Sequence, residues 1–444
     1  MKTHFGGKFL AAFIFLILRF TSLRAEEYGL AEYLAKVDKN NPDIALALKE
    51  LELAKTSVSQ ARAAFLPGIG LQGGYTRNFI DDMRPEPVAS LPGGGPLIYQ
   101  DIDSNFDNEL TLGIGVKQAL FDPEAISNYS RAKQGEKIRE SSFEAVKQNI
   151  RCAAKKIYAQ TQLAVTVVEI MEASEQFSME TYQSAERKYR AGTATELDLL
   201  LAEVDWKRKA AAVAGAHKNA ELALIAFRNL AGIPLAETVV LTEEFNALPV
   251  IPEAPELNRV LAIRPDYRSL MLSRELADIE RRAAYTAFLP TVSASFSYAF
   301  GGMGNTSSLV GDYDFDSAQL SLSVNIPLFT GGYRLSRIKA AGIEQSKTAI
   351  ALSRSRERIE SELLELRIRL DEAARQVEAA RLIEDTARRA LTLSQSAYAN
   401  GLTTQLTVAE AINRLGEARL GLQSAIFEYR AVSCDWELAA GIMK

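Results

Sequence analysis

Histidine, cysteine and tryptophan each occur only twice in the 444 residues. With His4 near the N-terminus and His217 alone in a helical stretch, no group of ligands has metal-site spacing. Cys152 and Cys434 form no Cys-x-x-Cys motif. Gly93-Gly94-Gly95 lies between Pro92 and Pro96 with no Lys-Ser/Thr after it, so it is a flexible loop rather than a phosphate cradle. No catalytic constellation is visible, and neither an enzyme nor a cofactor nor a metal is expected. Clustered positive charge is also missing. Asp and Glu number 56 against 51 Lys and Arg, for a net charge of −5, which argues against a nucleic-acid partner. The chain lacks long apolar runs as well. Phe9 to Leu18 is about half the ~20 residues that a spanning helix needs. Lys2 and Lys8 precede that run, and small residues end near Ala25, so residues 1–25 read as a secretory signal peptide. A retained N-terminal anchor is the alternative. No Cys follows the run, which argues against a lipid-anchored mature N-terminus.

Proline is absent over two long intervals. None occurs between Pro123 and Pro234, and none after Pro327. A proline inside a helix costs about 3 kcal/mol, so two proline-free stretches of about 110 residues each, rich in Ala, Leu, Glu, Arg and Gln, predict very long helices. Each stretch breaks once, at Ala191-Gly192-Thr193 and at Asn400-Gly401-Leu402, where Gly and Asn suit a left-handed helix end. The reading is two helical hairpins, 124–230 and 333–440. An outgoing arm of about 66 residues is ~100 Å long at 1.5 Å per residue, too long for a compact domain.

What is present is a duplication. Pro42-Asp43 recurs as Pro265-Asp266, and Phe65-Leu66-Pro67 as Phe288-Leu289-Pro290, both at an offset of 223. Leu120-Phe121 recurs as Leu328-Phe329 at 208, and Leu-Ala-Gly-Ile at 230–233 is echoed at 439–442 at 209. The first repeat is expected over 26–232 and the second over 263–444. A linker with Pro234, Pro249, Pro252 and Pro255, read as part of a belt around the helices, fills 233–262. Each repeat opens with a helix, at 42–65 and 265–288, and continues with two alternating segments.

These segments are expected as strands at 67–78, 109–121, 291–300 and 318–329. Ile69, Leu71 and Tyr75 alternate with Gly70, Gln72 and Thr76, and Leu320, Leu322, Val324 and Ile326 with Ser321, Ser323 and Asn325. Period two gives one apolar and one small, polar face. Strands of about 10 residues with this pattern match transmembrane β-strands. A soluble half-buried sheet alternates in the same way. Lipid tolerates no open sheet edge, and bacterial barrels start at 8 strands, so four strands per chain must be completed by other subunits. The intervening segments, 80–107 and 301–317, are rich in Gly, Pro and Asp and read as loops. The expected fold class is an α+β membrane protein. Two tandem repeats, each a β-hairpin plus a long helical hairpin, form an oligomeric transmembrane β-barrel continuous with a periplasmic α-helical barrel. The readings that compete with a passive duct are a periplasmic coiled-coil spacer without a pore and an exported enzyme.

Asn41-Pro42-Asp43 and Arg264-Pro265-Asp266, the Phe-Leu-Pro strand entries, Gln118-Ala-Leu-Phe121 and Ile326-Pro-Leu-Phe329-Thr-Gly-Gly, and the tips at Tyr189 to Asp198 and Tyr398 to Gly401 together resemble the TolC family of outer-membrane factors. The resemblance covers essentially the whole mature chain. It implies a homotrimer in the outer membrane, with a twelve-strand barrel and a twelve-helix tube reaching into the periplasm. It also implies a periplasmic adaptor protein and an inner-membrane pump of the RND, ABC or MFS type, which choose the cargo.

The resemblance also implies a gate at the helical tips, formed by Tyr189, Gly192, Asp198, Tyr398, Gly401, Thr403, Thr407 and Glu410. Asp198 and Glu410 match acidic aperture positions and Tyr398 a latch tyrosine. Thr403 and Thr407 stand where an arginine and an acid are often found, so the ring charge and latch depart from the family pattern. As ordinary residues, Asp198 and Glu410 would be early-turn helix acids. Cys152 and Cys434 lie at matching heights, ~55 Å from the tips at ~1.5 Å per residue, and are a candidate disulfide. Two small buried apolar residues are the alternative. Trp206 and Trp436 are expected in helix seams.

Overall fold

The computed structural model describes residues 26–80, 83–90, 97–103, 106–242, 252–253, 255–305, 313–400 and 402–443. The expected signal peptide 1–25, Gly401 and all of 243–251 lie outside them. In chain order the elements begin with β1 (Glu26–Tyr28), α1 (Leu30–Asn40), α2 (Pro42–Ala63), β2 (Gly68–Arg77), β3 (Met83–Ser90), β4 (Leu97–Asp103), β5 (Asn108–Phe121) and α3 (Pro123–Arg190). There follow α4 (Glu196–Ala231), β6 (Val239–Leu241), α5 (Leu257–Ile263), α6 (Pro265–Thr286), β7 (Thr291–Gly304), β8 (Tyr313–Asn325), α7 (Tyr333–Ala399) and α8 (Gln405–Ala439). The chain is thus mostly helical, and α3 and α7 hold 68 and 67 residues.

The chain divides into two compact units. The first comprises residues 26–50, 140–269 and 352–443 of the described chain. Its centre is an aromatic cluster. Tyr33 stacks on Phe227 with ring centroids 3.9 Å apart, and Tyr28 and Tyr158 pack against the same ring at 5.9 and 6.0 Å. The buried hydroxyls are satisfied. Tyr33 Oη donates to the Phe227 carbonyl at 3.0 Å and Tyr158 Oη to the Tyr28 carbonyl at 2.9 Å. β1 and β6 pair in parallel beside this cluster.

Proline separates the short helices of this unit from those that follow. Steric conflict with a following Pro moves the preceding residue out of helical space. Asn41 accordingly lies at φ −65°, ψ 126°, and Arg264 at φ −68°, ψ 119°, ending α1 and α5. Pro42 and Pro265 then start α2 and α6, where a missing N–H costs nothing. The side chain of each pre-proline residue turns to the end of a long helix. Asn41 Nδ2 donates to the Leu230 carbonyl at 2.9 Å, and Arg264 Nη1 to the Ala439 carbonyl at 3.1 Å. Asn41 Oδ1 also accepts the amides of Asp43 and Ile44, capping α2.

The second unit comprises 51–139 and 270–351. It holds a four-stranded antiparallel sheet in the order β2-β5-β7-β8 and a separate ribbon of β3 and β4. Gln134 Nε2 donates to the Leu272 carbonyl at 3.0 Å and to Glu275 at 2.9 Å, tying α3 to α6.

The structure corrects four sequence readings. Residues 80–107 are not simply a loop, because β3 and β4 lie within them. Pro85 and Pro87 in β3 pointed to a loop, yet both strands of a two-stranded ribbon are edges, where a missing donor is tolerated. Residues 301–317 likewise shrink as a loop, since β7 continues to Gly304 and β8 starts at Tyr313. At its other end β8 stops at Asn325 rather than 329, because Pro327 cannot donate to the ladder. Helix α1 also lies where no helix was read.

Candidate functional site

The four-stranded sheet carries the first candidate surface. Its register aligns the alternating residues of all four strands. Ile69 is opposite Val116, Val116 opposite Phe296, and Phe296 opposite Leu320. One step along the same face, Leu71, Ile114 and Tyr298 are aligned. The other face carries Gly70, Gly115, Ser297 and Gln319 in one row, and Gly68, Lys117, Ser295 and Ser321 in the next.

The apolar face is uncovered in the single chain. Ile69, Leu71, Leu320 and Leu322 are 71, 79, 81 and 67% exposed. A soluble half-buried sheet would hide that face. The outer strands, β2 and β8, each have one neighbour only among the described residues. Their unpaired amides and carbonyls are a template for another strand. At Gly301, a Cβ would stand 2.1 Å from the Leu110 carbonyl, so β5 and β7 can approach there only with glycine.

The second candidate surface lies at the hairpin tips of the first unit. Helix α3 ends with Gly192 at φ +72°. Thr193 N donates to the Lys188 carbonyl at 2.8 Å and Gly192 N to the Tyr189 carbonyl at 2.9 Å. These crossed bonds satisfy the last carbonyls and reverse the chain. Helix α4 begins with a reciprocal cap. Thr195 Oγ1 accepts from the Asp198 amide at 3.2 Å, and Asp198 Oδ2 accepts the Thr195 amide at 3.1 Å and hydroxyl at 2.7 Å. These bonds from Thr195 hold the Asp198 carboxyl below the usual carboxylate range.

The second tip repeats part of this arrangement. Leu402 N donates to the Ala397 carbonyl at 2.9 Å, and Thr404 caps α8 by accepting the Thr407 amide at 3.4 Å. The Thr404 and Thr407 hydroxyls are 3.1 Å apart. Tyr189 and Tyr398 are about two-fifths exposed, Asp198, Thr407 and Glu410 are exposed, and Thr403 is half-buried. Thr407 and Glu410 line a groove of about 770 Å³ between α7 and α8, together with Leu382, Ile383, Ala411 and Arg414. Thr195 and Thr404 are functional caps absent from the sequence expectations, and Thr195-x-x-Asp198 carries the capping-box spacing that marks the first.

Cys152 and Cys434 are brought together, buried with Met443 as free thiols. Trp206 stacks on Tyr182 at 5.4 Å, and Trp436 is buried between α7 and α8 beside Leu370 and Val432. His217 Nε2 lies 2.9 Å from Glu172 on an exposed helix surface. No group of acidic, His and Cys side chains among the described residues could hold a metal. No described helix is long and apolar enough to cross a membrane.

A family model described as "Outer membrane efflux protein" matches residues 34–233 and 257–425. The alkaline protease secretion protein AprF of Pseudomonas aeruginosa is 23% identical over 409 residues, covering 91% of this chain and 82% of its own. The outer membrane protein TolC of Vibrio cholerae is 20% identical over 427 residues, covering 95% and 92%. Among solved structures, the CmeC outer membrane channel of Campylobacter jejuni superposes with a TM-score of 0.77 at 18% identity, covering 94% of this chain and 86% of that one. The outer membrane protein VceC of Vibrio cholerae superposes with a TM-score of 0.71 at 18% identity, covering 93% and 96%.

Proposed function

This chain belongs to the outer membrane efflux protein family, and from that premise we propose that it is one subunit of a trimeric outer-membrane export channel. It is a passive exit duct, not an enzyme, located in the outer membrane and extending into the periplasm. An inner-membrane pump of the RND, ABC or MFS type delivers cargo through a periplasmic adaptor.

The observation that carries this reading is the sheet. An apolar face runs across the four strands and is exposed on β2 and β8, and each of these outer strands has one neighbour only among the described residues. In lipid the apolar face needs no cover, while the open edges must be paired. Three copies supply twelve strands and pair every edge. Gly and Ser on the opposite face leave the lumen open to water.

The paired architecture supports two structural repeats, 26–232 and 263–444, joined by 233–262. Gly232 and Gly441 both close long helices at positive φ, and Asn41 and Arg264 both reach those helix ends. The tip residues Tyr189, Gly192, Asp198, Tyr398, Gly401, Thr403, Thr407 and Glu410 form the periplasmic gate. Carboxylates at such a constriction favour cations.

Conductance tests the duct. Purified protein added to a planar bilayer should give discrete channels, and the native protein should fractionate with outer membranes and require detergent for release. A protein released by buffer alone, without conductance, would instead be the periplasmic coiled-coil spacer.

A further inference from the structure

Two thiols of the first unit remain outside the duct reading. Cys152 lies in α3 and Cys434 in α8, 4% and 8% exposed. They meet in one buried cluster with Met443, and the Cys152 thiol donates to Oδ1 of Asp435, the neighbour of Cys434, at 3.7 Å. Ion pairs hold the two helices in register at this level. Lys156 Nζ lies 2.6 Å from Asp435 and Lys155 Nζ 2.6 Å from Glu437. Asp435, the residue after Cys434, is thus tied to the helix that carries Cys152.

We propose that Cys152 and Cys434 form an intrachain disulfide in the exported protein, a covalent staple between α3 and α8. The reaction needs an oxidant of the dithiol–disulfide exchange class, acting before the helices close over the pair. One thiolate attacks the donor's disulfide and releases one donor thiolate. The second cysteine thiolate then attacks the resulting mixed disulfide and releases the other. Two thiols lose two protons and two electrons, and the donor disulfide is reduced to a dithiol.

The staple closes a loop of about 280 residues, which removes much freedom from the unfolded chain. It lies far along the helices from the tips, so it leaves the two hairpin ends free to move.

Thiol counting on the full-length protein tests the staple. Protein purified from an oxidising periplasm without reductant is denatured and alkylated with a maleimide–polyethylene glycol reagent. The expected result is no adduct before reduction and two after it. The unreduced monomer should also migrate faster than the reduced one, and C152S or C434S should each abolish that difference. Two adducts without reduction, or a disulfide-linked pair of chains, would overturn the proposal.

Discussion

Arg264 Nη1 donates to the carbonyl oxygen of Ala439 at 3.1 Å, at the end of a helix 175 residues further along the chain. The same guanidinium binds Glu362 at 2.9 Å and Asp266 at 2.8 Å. Its side chain is 9% exposed, whereas both acids are 41% exposed. Arg264→Ala should lower stability by about 2 kcal/mol, since it removes charge-assisted bonds and leaves a carbonyl unmet while the acids can turn to water. Arg264→Lys should recover only part, because an ammonium cannot fork between three acceptors. Thermal unfolding of the detergent-solubilised protein measures both.

The same cluster should make stability acid-sensitive. Burial alone would raise the Asp266 carboxyl, but the Arg264 hydrogen bond and charge outweigh it and hold the group below its usual range. A depressed folded value contributes stability that is present above the ordinary value of about 3.9 and lost as pH falls through the folded one. Asp266→Asn should remove that part of the acid dependence. Unfolding curves of the two proteins from neutral pH downward should therefore converge below the ordinary carboxylate range.

The aromatic cluster predicts a larger loss. Phe227 is fully buried between Tyr28, Tyr33 and Tyr158. Phe227→Ala should cost about 3–5 kcal/mol through lost burial and a residual cavity. Tyr33→Phe should cost about 1 kcal/mol, the net worth of its bond to the Phe227 carbonyl. A Tyr33→Phe loss as large as that of Phe227→Ala would contradict the assignment of the stability to packing.

The two faces of the sheet should respond oppositely to the same substitution. On the apolar face, proposed to meet lipid, Leu322→Arg should cost ~2–4 kcal/mol and reduce the oligomer recovered from outer membranes. On the opposite face, Ser321→Arg or Ser295→Arg should assemble normally and change conductance instead. Equal tolerance at Leu322 and Ser321 would exclude a lipid-facing surface. Electrophoresis of unheated membranes and single-channel recording give the two readouts.

At the tip, ion preference should survive mild acid. Thr195 holds the Asp198 carboxyl below the usual range, so its charge is lost at a lower pH than that of an ordinary Asp. Asp198→Asn should weaken cation preference at neutral pH, seen as a reversal-potential shift in a salt gradient. Thr195→Val should leave the charge in place at neutral pH but move its loss to higher pH. An unchanged reversal potential in Asp198→Asn would remove that residue from the gate.

Much of this was legible because a few residue types have strict rules. Two proline-free intervals broken at Gly192 and near Asn400 foretold α3, α4, α7 and α8, since helix interiors exclude proline and helix ends favour glycine. Period-two alternation marked β2, β5, β7 and β8. Helix α1 is hard to see although Leu30, Tyr33, Leu34 and Val37 have helical spacing, because Pro42 is the stronger helix-start signal. Ribbon β3–β4 escaped because Pro85 and Pro87 suggest a loop unless the strand is known to be an edge. The meeting of Tyr33 with Phe227, or of Asn41 with Leu230, depends on how distant helices dock. No local pattern encodes that. For Cys152 and Cys434, counting helical rise from the tips suggested equal height, but only packing shows the helices adjacent.

The free edges of β2 and β8 also bear on genetics. In the trimer proposed above, each ring would close head to tail, the β8 edge of one copy against the β2 edge of the next, so every subunit would take part in two seams. One subunit with a spoiled edge therefore breaks a whole ring. With half of the subunits defective and random mixing into threes, about one ring in eight is intact. Edge-strand alleles should be dominant over the wild type, whereas alleles that merely unfold the monomer should be recessive.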